Sequence, residues 1–569
     1  MSTSIAPSPR LLVIGESSSA RVGADEVGRK ALNLMRMTEA GLPVPPAFVL
    51  STAVCRDYHA GDRAPDDLDD LLAEGITALE RSTGLEFGGR RRPLLVAARS
   101  GAAASMPGML ETVLNLGLCD STISGLLRAS GDPRFVWDSY RRLVRQYGEV
   151  VCGLDGARFD EVISTLMRRE SVVEVDELDV AALRELTSRS LGVFANAAGE
   201  PFPQSPTAQL RGATLAVLRS WRSPRAAAYR RMEHLSNEGG TAVTVQAMVF
   251  GNMGATSGTG VGFTRDPATG EDRLYVDFLL DAQGEDLVSG RRGAPDSAAA
   301  IAAVPGLAQE LGRVRRRLEA VFGDVQDFEF TVQDGRLHLL QSRAARRTPW
   351  AALQIAGDLV DEGLIDEQAG LRLLTGIDPN SVSRTRLADG VRGSLLAVGI
   401  PASPGVASGP VTLSIDGAQR CAEAGRPAIL VRNEPTTKDV AGLSVCAALL
   451  TATGARTSHA AVVARQLGRV CVVGCRDLAI TAGEGVCRFG SRVVVEGEPL
   501  TIDGTTGQIH AGELATVLER PEALIERTKR WVIPTTPPCS AIRLSTSSST
   551  ALTNGSAKRP ARLAGKTDG

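Results

Sequence analysis

A chain of 569 residues, 43% of them hydrophobic, with a net charge of −2 has room for about three to four domains and is not built around nucleic acid. No apolar run approaches the ~20 residues of a membrane span, and the first residues lack a secretory pattern. Nine cysteines, odd in number and without a CxxC pair, point to a reducing, cytoplasmic setting with no membrane association.

In chain order, residues 11–14 read as a strand. The stretch that follows is helical by the spacing of Ala31, Leu34, Met35 and Met37. It stops at Gly41, and Pro43, Pro45 and Pro46 lead into a second strand. This helix carries Lys30. Lysine is otherwise confined to Lys438, Lys529, Lys558 and Lys566, against 63 basic residues in all, so a lysine inside a motif is not background. Residues 94–98 read as a buried strand that delivers Arg99 to a loop of small residues, Gly101 through Ser105 to Gly108. Small side chains let backbone N–H groups approach phosphate oxygens, and a guanidinium beside them adds a fixed fork of donors. No GK[ST] follows, so this is not a Walker A loop. Residues of about 120–240 are amphipathic helical patterns, and their arginines (Arg141, Arg142, Arg145; Arg219, Arg222, Arg225) read as solvated faces.

From Thr241 the texture becomes alternating and strand-like, with GNMGATSGTG (251–260) as a hinge or hairpin. A hairpin turning at Asp334-Gly335 follows. By period two, Asp327 and Glu329 share one face of its first strand, and Gln341 and Arg343 share one face of its second. Carboxylates with a carboxamide suit Mg²⁺ bridging phosphates, and an arginine suits a terminal phosphate. Outward charges on an ordinary hairpin are the alternative. His338, between apolar residues, reads as structural. Residues 350–395 form a connector of short helices, and a β-rich unit then opens at GIPASPG (399–405) and closes near TIDGTTGQIHAG (501–512).

Within that unit the apolar run 447–450 is a buried strand broken at Thr453-Gly454-Ala455. Thr457 or Ser458 caps the helix that carries Ala460, Val462, Val463 and Leu467. His459 therefore lies in the first turn of a helix. Free N–H groups and a partial positive charge there keep an imidazole neutral and nucleophilic, and would hold a phosphate the ring acquired. His59, His234 and His510 read as surface or packing residues. After residue 515 one helical stretch leads into a Ser/Thr/Pro-rich tail of low hydrophobicity, which argues disorder.

GARTSHAAVVARQLG (454–468) closely resembles the phosphohistidine segment of the pyruvate, phosphate dikinases, in the family of phosphoenolpyruvate-utilising phosphotransferases. KALNL (30–34), LLVAARSGAAASMPGMLETVLNLGL (94–118), the strand-rich run from Thr241 and DFEF…LQSR (327–343) resemble the same family, so the likeness covers roughly residues 10–512. It implies an α/β (α+β) multidomain chain: an ATP-grasp domain (1–349, helical insertion about 120–240), a helical linker (350–395), a swivelling phosphohistidine domain (396–515), and a helix with a disordered tail (516–569). Lys30 aligns with the family's ATP-phosphate lysine. The resemblance places Arg99, Gly101, Ser105, Gly108, Asp327 and Arg343 around ATP, and Glu329 and Gln341 on the metal. The backbone of Gln246 to Met248 is placed beside the adenine. Asp277 stands where the family usually has Glu, and Ala455-Arg456 replaces the usual Gly-Met before the histidine segment.

The implied reaction is ATP- and phosphate-dependent phosphorylation of His459, with Mg²⁺, giving AMP and pyrophosphate. The family's (β/α)₈ barrel for phosphoenolpyruvate and pyruvate has no match here, so the expected acceptor is pyruvate on a separate subunit or another acceptor protein. Two rivals remain: an enzyme like the phosphoenolpyruvate synthases or antibiotic phosphotransferases with a different acceptor, and a non-catalytic ATP-binding remnant. The SGAAASMPGML spelling and the joint presence of Lys30, Glu329 and Arg343 speak against them.

Overall fold

The structure, a computed structural model, describes residues 10–16, 19–104, 106, 109–288, 297–433, 440–454, 456, 458–481, 483 and 485–531. Of the expected site residues, Ser105 and Gly108 lie outside the described residues, as do Ala455, Thr457 and the tail from residue 532. Among the described residues no helix is long and apolar enough to cross a membrane.

The first half is built on two antiparallel sheets. One has the order Leu11–Val13, Ala47–Leu50, Ala242–Ala247, Val96–Gly101, Thr112–Leu116; the other runs Arg336–Ala344, Gln326–Gln333, Gly258–Phe263, Tyr275–Leu280. The helix Ala24–Glu39 bridges them. Its buried Val27, Ala31, Leu34 and Met35 pack with Phe278, Phe328 and Phe330 of the second sheet and Val49 of the first.

GNMGATSGTG makes no hairpin: the strand before it belongs to the first sheet and the strand after it to the second. Gly258, Gly260 and Gly262 are strand residues, glycine for a packing reason. A Cβ on them would meet the rings of Phe278, Phe330 and Phe328 at 2.4, 2.3 and 2.5 Å. Those aromatic rings fill the space that side chains on the middle strand would have taken.

Arg99 does not stand beyond a strand that ends at residue 98. The strand runs Val96–Gly101 and includes it, with Gly101 paired to Ala242. The insertion between Asp120 and Met232 is helical, as expected. Its first arginine cluster is not a solvated face. Arg141 is 7% exposed and shares Asp138 with Arg142 (2.5 and 2.6 Å), while Arg142 also reaches Asp286 at 2.7 Å. A guanidinium can be buried when carboxylates occupy its fork, and here the pairing ties the insertion to the short helix Gly284–Val288 that follows the strand Tyr275–Leu280. In the second cluster, Arg222 and Arg225 make exposed contacts, to the His59 carbonyl and to Glu111.

The second half is organised around an eight-stranded sheet whose central members, Val406–Thr412, Ile429–Arg432, Ala448–Thr451 and Val470–Val473, run parallel. Separate apolar clusters cover its two faces. Two connector expectations need correction. Arg384–Leu387, inside the stretch read as short helices, is a strand, and Ser394–Val398, which begins at the end of that stretch, is another. The segment after 515 is not one helix: Thr516–Glu519 pairs with Arg384–Leu387, and a helix begins only at Glu522. Pro521 lacks the N–H a continuous helix would need. That last helix folds back on the connector helix Pro349–Asp361. Ile525 and Trp531 join Leu353, Ala356 and Leu374 in one core, and Arg527 bonds Asp358 at 2.9 Å.

Candidate active site

The second sheet supplies a platform whose composition follows from register. Directly opposed residues of antiparallel strands point to the same face. Asp277, Val261, Glu329 and Gln341 form one cross-strand row, and Tyr275, Phe263, Asp327 and Arg343 form the next. Asp327 shares a face with Glu329, and Gln341 with Arg343, as the period-two reading expected; the cross-strand pairing of Asp327 with Arg343 and of Glu329 with Gln341 is set by a register shift after Glu329. The Gln341 amide donates to Glu329 at 3.2 Å, and Arg343 Nε donates to Asp327 at 2.7 Å. Asp327 is 6% exposed and its second oxygen is buried without a partner. Burial raises its carboxyl against the pull of Arg343. Burial also pulls on the Arg343 guanidinium, but the Asp327 and Glu329 carboxylates override it and hold it more basic than usual.

The first sheet closes the site from the other side. Arg99 donates to Gln246 Oε1 (3.4 Å), to the Leu340 carbonyl (3.2 Å) and to Glu329 Oε2 (3.4 Å), so one guanidinium spans both sheets. Gln246 is held in turn by the Pro45 carbonyl at 3.3 Å. The Met248 amide donates to the Leu95 carbonyl at 2.9 Å, so that amide is not available to a base. Asp277 lies in the Glu329 row and accepts from the Tyr275 hydroxyl at 2.8 Å.

The long helix delivers Lys30 through a break. Gly28 sits at φ 75, ψ 153, and a Cβ there would lie 2.3 Å from the Gly101 carbonyl oxygen. Only glycine tolerates both the conformation and the approach. The Arg29 amide then bonds the Ala102 carbonyl at 2.9 Å, which starts the main helix with Lys30 in its first turn, beside Gly101. Burial, then the neighbouring Arg99, lowers the Lys30 ammonium to about 8, with Glu329 pulling the other way. The folded-state value lies below the ordinary 10.5, so between pH 8 and 10.5 the unfolded chain binds more protons and stability rises with pH. Lys30→Met removes this rise. Denaturation midpoints of wild type and variant across that window, without nucleotide or metal, check it, and parallel curves would refute it.

On the other half, His459 is the first residue of the helix His459–Gln466, and the Ser458 side chain caps it by accepting from the Ala461 amide. The helix-start expectation for His459 therefore holds. Two residues escaped the sequence reading. Arg465, 2% exposed, donates to the carbonyls of Ala402 (2.8 Å) and Arg456 (2.9 Å), fixing the approach to the histidine. Asn33, 6% exposed, donates to the Ser342 carbonyl at 2.7 Å and locks the Lys30 helix to the hairpin. A polar residue amid an apolar helix face was the available signal in each case.

Lys30, Arg99, Gly101, Gln246, Asp327, Glu329, Gln341 and Arg343 thus converge between two sheets. A basic, carboxylate-bearing cluster together with an α/β unit that has a histidine at a helix N-terminus is the composition suited to nucleotide-dependent phosphotransfer. Comparison with known proteins agrees. Residues 61–302 match the pyruvate phosphate dikinase AMP/ATP-binding domain, and residues 425–507 the mobile domain of PEP-utilising enzymes. The chain is 41% identical to pyruvate, phosphate dikinase of Clostridium symbiosum over 509 residues, 89% of this chain and 58% of that one. It is 42% identical over 505 residues to pyruvate, phosphate dikinase 2 of Zea mays, and 40% over 513 residues to the Rhizobium meliloti dikinase, covering 88% of this chain and 57% of each. The chain belongs, across its ATP-binding and mobile domains, to the pyruvate, phosphate dikinase family of PEP-utilising enzymes. It spans less than two thirds of the length of these relatives.

Proposed function

We propose that this chain carries out the ATP- and phosphate-dependent half of a dikinase reaction. A ring nitrogen of His459 attacks the β-phosphorus of ATP and AMP leaves. Inorganic phosphate then takes the terminal phosphoryl group, so that pyrophosphate departs and phosphohistidine remains. Lys30, Arg99 and Arg343 clamp the phosphates, Gly101, Ser105 and Gly108 are further ATP-binding residues, and the Gln246–Met248 segment serves the base. Such a site works by positioning and by countering charge. The phosphoryl group passes next to pyruvate, or to another acceptor, held outside residues 10–531. Residues up to about 349 act as the nucleotide domain, and the unit up to 515 as the histidine carrier. With every cysteine of the described residues unpaired, we place the chain in the cytoplasm.

A divalent cation fits the donor set. Glu329 and Gln341 are cross-strand neighbours, the Gln341 amide nitrogen donating to the Glu329 carboxylate, and Asp327 has a buried oxygen with no partner. Hard oxygen donors of this kind suit Mg²⁺, which would spread charge over the β- and γ-phosphates. Among the described residues no three His, Cys, Asp or Glu side chains form a cage, so nucleotide phosphates would complete its shell.

The observation that carries this reading is the convergence of Lys30, Arg99 and Arg343 on the Glu329–Gln341 pair. With ATP labelled at the γ-position, label should leave as pyrophosphate only when inorganic phosphate is supplied. Release as inorganic phosphate without added phosphate would favour the synthase-like alternative, in which water is the acceptor.

A further inference from the structure

We infer that Arg456 and the Tyr275 ring form a latch that docks the histidine-bearing domain on the nucleotide site, which makes Arg456 a positioning residue for phosphorylation of His459. The inference rests on the carrier role proposed for His459. The Arg456 guanidinium lies 4.6 Å from the centroid of the Tyr275 ring, and that of Arg465 lies 5.7 Å from the Phe263 ring. Tyr275 and Phe263 are neighbours on adjacent strands, with centroids 6.3 Å apart, in the row that also holds Asp327 and Arg343. Two cations that flank His459 in sequence thus rest on two rings of the ATP platform.

The contact is placed to sense nucleotide and built to release. The Tyr275 hydroxyl donates to Asp277, a member of the Glu329–Gln341 row, so a change in that row reaches the ring under Arg456. On the carrier side, the bond from Arg465 to the Arg456 carbonyl fixes the loop that presents the guanidinium. Between the two halves remains a cavity of about 300 Å³, lined by Asp266, Arg273, Tyr275, Pro404, Arg456 and Thr505 among others. The domains therefore touch through a few specific contacts and are not packed into one core. A cation over an aromatic face contributes modestly, enough to bias a mobile unit towards the docked position and weak enough to let it leave for its acceptor. The guanidinium sits over a ring, so its function is docking and not phosphate binding.

The test is single-turnover labelling of wild type, Arg456→Ala, Arg456→Lys, Tyr275→Phe, Tyr275→Leu and the Arg456→Ala/Tyr275→Leu double variant, with ATP affinity measured separately. Losing either partner should slow labelling by roughly tenfold, with ATP affinity unchanged in Arg456→Ala. The double variant should be no slower than either single one, while Arg456→Lys and Tyr275→Phe should lose less. Hydrogen exchange should show the Tyr275–Leu280 strand less protected in Arg456→Ala. Additive losses in the double variant would overturn the latch, and so would weakened ATP binding in Arg456→Ala with Tyr275→Leu inert. If wild type takes no label, the carrier role fails. The exchange comparison then decides separately: equal protection sinks the latch, and reduced protection retains the docking contact.

Discussion

His459→Asn abolishes transfer of label from β-labelled ATP to the protein, a loss on the order of 10⁴-fold or more, because the amide offers no nucleophilic nitrogen in place of the imidazole. Wild type should carry acid-labile, base-stable label and release AMP. The Ser458 cap, whose side chain accepts from the Ala461 amide, does not depend on the side chain at 459. The substitution should therefore leave the unfolding free energy within about 0.5 kcal/mol of wild type. Denaturation alongside the labelling experiment separates loss of the nucleophile from loss of the fold. Label on the variant equal to wild type would place the acceptor at another residue.

Arg343→Ala fails in two ways that can be pulled apart. As the proposed γ-phosphate ligand, its removal should slow phosphorylation by about 10³-fold or more, the scale of an arginine that meets developing phosphoryl charge. It also strips the counter-charge from Asp327, which is 6% exposed, bonded through one oxygen to Arg343 and unpartnered at the other. A buried carboxylate left alone costs about 3–5 kcal/mol. Arg343→Ala/Asp327→Asn removes the orphan charge and should recover most of that stability while phosphorylation stays lost. Urea denaturation and single-turnover labelling of both variants check this. Restored labelling in the double variant would reduce Arg343 to a structural partner of Asp327.

Much of the site was legible in local pattern. The turn at Asp334-Gly335 set the hairpin, and period two then placed Asp327 with Glu329 and Gln341 with Arg343 on shared faces. The Ser458 cap and the glycine break before it put His459 at a helix start. These are short-range facts, decided by turn chemistry and side-chain alternation. The sequence alone also showed Lys30 as an exception in an arginine-rich chain and the small-residue run after Arg99.

What one residue's neighbourhood could not reveal, the tertiary structure decided. Gly258 and Gly260 read as part of a hinge or hairpin because the rings that displace their side chains, Phe278 and Phe330, lie outside the local stretch. Arg142 reads as solvated because one of its two partners, Asp286, is 144 residues away along the chain. The last strand and helix read as one element because the strand's partner, Arg384–Leu387, also lies far off in the chain. The convergence of Lys30, Arg99, Glu329 and Arg343, and the resting of Arg456 on Tyr275, depend on two sheets and a carrier domain meeting in space. Local pattern fixes which face of an element a side chain occupies; long-range packing fixes what that face meets.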